Sequence, residues 1–186
     1  MKNLLKLLKR HKRATGIVSL LVVVAVIFCI VNSPVAISTS VTSRSLPIYC
    51  VQRDDKCVSL TFDAAWGNED TQQLINILAT YNVRATFFVV GAWVDKYPES
   101  VKALSDAGHE IMTHSDDHAH FNALSSEQII SNINTSCDKI EAVTGIRPTL
   151  FRPPYGEYND HVVQTITDMG MLTIQWDVET TNIKIL

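Results

Sequence analysis

From Lys56 onward the apolar residues of this chain switch repeatedly between every second position and every third or fourth, and that alternation restricts the fold more than any other feature. Spacing of two marks strands at 58–62, 85–90, 110–113, 149–151 and 172–176. Helical spacing marks one helix through Leu74, Ile75 and Leu78, ending near Tyr81, and a second through Val101 and Leu104, closed by Gly108. A longer helix begins at Ser125, which can cap it together with Gln128 three residues on, while Leu124 is spaced to staple against Ile129. Its apolar stripe is Ile129, Ile133, Cys137 and Ile140, and a fourth helix carries Val162, Val163, Ile166 and Met169. Five strands alternating with four helices predict an α/β fold with a parallel sheet and right-handed crossovers, either doubly wound or a barrel.

What precedes this region is built differently. Residues 1–13 carry six Lys/Arg and no acid, which leaves ten basic against nineteen acidic side chains in the remainder. A folded part with that excess of negative charge is repelled by phosphate backbones, so no nucleic-acid partner is expected. Residues 14–31 form an apolar run directly behind the basic cluster, near the lower length limit for a transmembrane helix. Basic residues stay on the cytoplasmic side, so the expectation is a single-pass cell-membrane protein with its C-terminal part outside. The small residues Ala36 and Ser38, around Ile37, leave a second course open, in which the run is a signal h-region and the protein is secreted. Residues 32–55, rich in Ser and Thr, read as a linker, and 56–186 as the folded domain. Cys29 and Cys137 read as packing residues, whereas a disulfide is open to Cys50 and Cys57 in an oxidising compartment.

The polar residues that matter come at strand ends. Asp63, His114, Arg152 and Asp177 each follow a strand, and in parallel α/β folds those ends share the face where active sites form. In His114-Ser115-Asp116-Asp117-His118 two imidazoles stand four apart, so a helical turn would aim both at one ion, although a solvated His/Asp-rich loop has the same composition. Thr61-Phe62-Asp63 delivers a carboxylate from a strand, followed by Ala64-Ala65-Trp66-Gly67, and a simple cap for the next helix is the other reading of Asp63. Arg152-Pro153-Pro154-Tyr155-Gly156 fixes a turn through two prolines and brings an arginine and a backbone N–H to one rim.

In this order, those three segments resemble the motifs of the NodB-like polysaccharide deacetylases, carbohydrate esterase family four, and the framework pieces Ala85-Thr86-Phe87-Phe88-Val89 and Gly108-His109-Glu110-Ile111 resemble it too. The Trp-Gly form of the first motif looks like the sporulation-associated branch. The resemblance implies a distorted (β/α) barrel and a hydrolase that removes N-acetyl groups from cell-wall amino sugars of peptidoglycan or a related glycan. It implies that His114 and His118 bind a divalent metal, zinc or a substitute such as cobalt or manganese. Asp63 would be the general base, Arg152 the cation that orients it, and the backbone N–H of Tyr155 a donor to the oxyanion.

Three positions depart from the family pattern. The usual third metal ligand, a second aspartate after the base, is replaced by Ala64, which leaves Asn68, Glu69, Asp70 or water to fill its place. The Asp-Trp pair of the fourth motif aligns with Asn182-Ile183, and the histidine acid of the fifth motif would lie beyond Leu186. The expectation is therefore an incomplete, C-terminally truncated barrel with an exposed edge at 172–176. An inactive product, or a membrane-tethered glycan-binding relative without catalysis, is the alternative to the enzyme.

Overall fold

The structure is a computed structural model that describes residues 2–31 and 44–179, with side chains of the first helix described at 14 and 16–30. It divides into two units, Met1–Arg44 and Ser45–Leu186. The first holds one helix, α1 (Lys2–Val31). Its apolar side chains are open to their surroundings, among them Ile17, Leu20, Leu21 and Phe28. Among the described residues no helix is long and apolar enough to cross a membrane, and the side chains at 15 and 31 of the expected 14–31 span lie outside those described. The basic side chains of 1–13, the 36–38 site, most of the linker and Asn182-Ile183 also lie outside the described residues.

The second unit runs β1 (Thr61–Ala64), α2 (Thr71–Thr80), β2 (Thr86–Val89), α3 (Gly91–Lys96), α4 (Pro98–Asp106), β3 (Glu110–Thr113), α5 (Ser126–Thr144), β4 (Leu150–Phe151), α6 (Asp160–Asp168) and β5 (Leu172–Thr173). All neighbouring strands are parallel and the order is β1-β2-β3-β4-β5. A doubly wound sheet reverses its order part-way, whereas a barrel adds each strand beside the last, so the sheet follows the course of a barrel.

Local chemistry explains the longest helix. Ser125 and Gln128 form the reciprocal capping box, with the Ser125 N–H donating to Gln128 Oε1 at 2.9 Å, and Gly145 ends the helix at φ 75°. The stripe Ile129, Ile133, Cys137 and Ile140 is buried. It serves two apolar clusters: Ile140 joins Leu78, Phe87, Val89 and Trp93, while Ile129 and Ile133 pack with Phe121, Phe151 and Ile166. Leu124 packs against that second cluster, as its spacing from Ile129 predicts.

The structure corrects four expectations. A six-residue helix, α3, stands where the sequence reading had only a connection after the second strand. The edge at 172–176 is not bare, because Ile48, assigned to the linker, bridges to Ile174 in parallel. Its N–H donates to Thr173 O and its carbonyl accepts from the Gln175 N–H, both at 2.8 Å, so part of the supposed linker belongs to the sheet. Cys50 and Cys57 are free and exposed rather than joined. Finally, 114–118 is not helical: Ser115 (φ 74°) and His118 (φ 58°) both adopt left-handed backbone, and such a loop brings rings together by a different route from a helical turn.

Candidate active site

Register sets the site. Asp63 is third in β1 and lies opposite Phe88 of β2, while Thr113, the last residue of β3, pairs with Phe151 of β4. The residues after those ends, His114 and Arg152, therefore emerge beside Asp63 at the carboxyl edge of the sheet. Backbone bonds hold both: the His114 N–H donates to Val89 O at 2.9 Å and the Arg152 N–H to Thr113 O at 3.1 Å.

Arg152 is buried, and its Nη1 donates to Asp63 Oδ1 at 2.8 Å. Nη2 donates to the Gln175 carbonyl at 3.3 Å, and the guanidinium carbon lies 4.1 Å from the centre of the Phe88 ring. The other carboxylate oxygen, Asp63 Oδ2, is 3.9 Å from His114 Nε2, close enough for charge to act between them but too long for a hydrogen bond. His114 Nδ1 sits 2.8 Å from Arg152 O. A carbonyl only accepts, so Nδ1 carries the proton and Nε2 keeps its lone pair. The same residue that orients Asp63 through its side chain thus fixes the His114 tautomer through its backbone.

His118 completes the pair, its ring centre 5.0 Å from that of His114. Burial pushes the pKa of both imidazoles below the ordinary range, with Asp63 pulling the other way, and the outcome is two neutral rings. A metal ligand must be neutral imidazole, so both suit that role. His118 Nδ1 is buried with no hydrogen-bond partner, which leaves a nitrogen without a protein group to satisfy it. The donor set fits a divalent cation held by two imidazoles, but among the described residues no group of three or more His, Cys, Asp or Glu side chains could hold an ion. Ala64 packs on the apolar cluster of α2 and β2. Asn68 donates to Ser100 Oγ at 3.0 Å, and Glu69 accepts from the Asn68 N–H, so these candidate substitutes are engaged elsewhere.

Tyr155 takes φ 60° within the Pro154–Gly156 turn, a conformation that costs a non-glycine residue about 1–2 kcal/mol. The strain is held by contacts on both sides. Gln175 Nε2 donates to Gly156 O at 2.8 Å, and the Tyr155 ring stacks on His120 at 4.3 Å and meets the edge of His118 at 4.5 Å. Trp66, largely exposed, stands 5.9 Å from His118 on the other side.

Asp63, His114, His118, Arg152 and Tyr155 therefore lie together at the carboxyl edge of the sheet. Asp177 is exposed and joins none of these contacts, while its neighbours Gln175 and Trp176 take the positions around Arg152. Sequence reading missed His120 and Gln175; for Gln175, a buried amide, the polar residue in an apolar run was the available signal.

A family profile described as polysaccharide deacetylase matches residues 51–174. The chain belongs to the polysaccharide deacetylase family. Among curated proteins of this family, it is 38% identical over 129 residues to the peptidoglycan-N-acetylmuramic acid deacetylase PdaC of Bacillus subtilis (strain 168), which covers 69% of this chain and 27% of that one. It is 34% identical over 154 residues to the peptidoglycan-N-acetylglucosamine deacetylase PgdA of Listeria monocytogenes serotype 1/2a (strain 10403S), covering 80% of this chain and 32% of that one. The chain thus spans less than half the length of both relatives. Among solved structures it resembles a family 4 carbohydrate esterase pseudoenzyme of Bacillus anthracis, at 37% identity and a TM-score of 0.69, over 72% of this chain and 48% of that one. A mutant of that pseudoenzyme, described as having restored enzymatic activity, matches at 39% identity and the same TM-score.

Proposed function

We propose that this deacetylase-family chain is a metal-dependent hydrolase that removes N-acetyl groups from amino sugars of a cell-wall glycan. The observation that carries the reading is Asp63, held at 2.8 Å by Arg152 and lying 3.9 Å from the lone-pair nitrogen of His114. His114 and His118 would hold the metal, zinc or in its stead cobalt or manganese, which when bound supplies Lewis acidity toward the acetyl oxygen and a more acidic water. Asp63 takes the proton of the attacking water, and Arg152 fixes the direction in which it does so. The backbone N–H of Tyr155, carried on the strained turn, would donate to the oxygen that gains charge as the carbonyl carbon becomes tetrahedral. As the C–N bond breaks, the amine nitrogen takes the proton that Asp63 accepted from the water, so that amide and water become acetic acid and a free amine.

The aromatic side chains around the pair support a sugar substrate, and the Trp-Gly form of the first motif supports the sporulation-associated branch. The apolar run of residues 14–31 and the basic residues of 1–13 support a single-pass anchor with the catalytic unit outside the cell, or secretion if cleavage occurs near residues 36–38. Digestion of intact cells with an external protease tests this: loss of the C-terminal unit is expected, and its full protection would refute the topology.

Ala64 favours a second reading, a glycan binder without catalysis. Acetate release from N-acetylated glycan with added Zn2+ or Co2+, comparing the chain with His114→Ala, separates the two. Release that depends on His114 is expected; no release from either protein, with glycan binding kept, would establish the binder.

A further inference from the structure

His114 is oriented through its ring, by the hydrogen bond from Nδ1 to Arg152 O, but no protein group holds His118 Nδ1. The His118 ring is therefore placed by its own backbone, which is in the left-handed region, and by packing against Tyr155 and Trp66. Something must keep that backbone from relaxing.

The loop is gripped from α5 by side chains at 132, 136 and 139, spaced to share one helix face. Asn132 uses both ends of its amide: Oδ1 accepts from the Asp116 N–H at 2.8 Å, and Nδ2 donates to Asp117 Oδ1 at 2.7 Å. Asp117 Oδ1 in turn accepts from the Ala119 N–H at 3.2 Å, so the two bonds lie on either side of His118 in the chain. Ser136 Oγ is 2.7 Å from Thr113 Oγ1, which accepts from the Ser115 N–H at 3.2 Å. Lys139 Nζ reaches Asp116 Oδ1 and Asp95 Oδ2, both at 2.7 Å, and so ties the loop to α3. From the other side, the N–H groups of Gly91 and Ala92 donate to the carbonyls of Ser115 and Asp116 at 2.9 and 2.8 Å. A Cβ on Gly91 would lie 2.1 Å from Asp116 Oδ1 and 3.1 Å from its Cα, so the approach of α3 requires the glycine.

We propose that Asn132 is a positioning residue for the metal site, fixing His118 against His114 by holding the backbone N–H of Asp116 and the carboxylate of Asp117 at once. This rests on the metal reading of the site. Outer groups that orient metal ligands are worth about 10–100-fold in affinity, so Asn132→Ala is expected to weaken Co2+ binding by tenfold or more. The double change N132D/D117N exchanges acceptor and donor and restores the pairing.

The test uses the full 186-residue chain. Amide hydrogen exchange is followed without metal at 114–119 and within α5, and Co2+ affinity is measured by titration. The proposal expects N132A to speed exchange at 114–119 while the interior of α5 stays protected, to weaken Co2+ binding tenfold or more, and the double change to recover both. Unchanged exchange, unchanged affinity in N132A, or failure of the double change to restore what N132A loses would each overturn it. If the unaltered chain binds no Co2+, the metal reading itself fails, and exchange at 114–119 still decides whether Asn132 orders the loop.

Discussion

Replacing Arg152 by alanine should be among the most damaging single changes in the folded unit. The lost bond to Asp63 is charge-assisted and worth about 1.5–3 kcal/mol in general, and the lower part of that range applies because the Asp63 side chain is 35% exposed. The guanidinium over Phe88, on a side chain only 4% exposed, adds about 1 kcal/mol of cation–π attraction. The bond to Gln175 O is long at 3.3 Å, and Nε has no partner to lose, so neither adds much. The total is about 3 kcal/mol, which for a unit of this size lowers Tm by roughly 6–12 °C. Arg152→Lys keeps a charge but loses the planar fork, so its Tm should fall between wild type and R152A. Thermal unfolding at pH 7, followed by circular dichroism, reads both, and a cycle with Asp63→Asn isolates the pair, with a coupling of about 1–2 kcal/mol expected. A Tm for R152A within 2 °C of wild type, or R152K less stable than R152A, would show that the pair does not hold this edge of the sheet.

Two other groups report on burial. The Cys137 thiol is pushed up to about 11 by its apolar surroundings, so it stays protonated at pH 8; peptide mapping after brief iodoacetamide treatment should find Cys50 and Cys57 labelled and Cys137 not, and equal labelling would contradict the packing of α5. His109 accepts the Ala85 N–H at 3.3 Å, and burial, helped by Arg84, lowers its pKa below the unfolded value of about 6.5. The fold therefore binds fewer protons than the unfolded chain, and the stability due to neutral His109 is full above that value and is lost as pH falls through the depressed one. Tm should drop more between pH 7 and pH 5 in wild type than in His109→Gln, whose amide oxygen can accept without titrating; identical slopes would remove His109 as the cause.

Much of this was legible because the informative elements are long or chemically pointed. The stripe of α5, with caps at Ser125 and Gly145, leaves few alternatives, and β3 occupies the four residues its alternation marks. Asp63, His114 and Arg152 follow from parallel strands, whose ends share a face. Other features left no periodic trace. A helix of six residues such as α3 has fewer than two turns in which to show a stripe. Ile48 joins the sheet as an isolated bridge, and one residue cannot display alternation. The i, i+4 spacing of His114 and His118 would suit a helical turn, yet positive φ at Ser115 and His118 brings the rings together without a helix. Gln175 was hidden because period reads faces, not partners.

Ile48 clasps Thr173 and Gln175, far apart in order of synthesis though adjacent in space. During translation it emerges before β1 and stays unmated until β5 and the residues that follow it have left the ribosome. The margin it seals joins partners far apart in the chain, so forming it carries a large loop-closure cost. A growing chain would pass through a stage with an open seam there, and a nascent-chain chaperone that recognises unpaired strands would find its target at that seam.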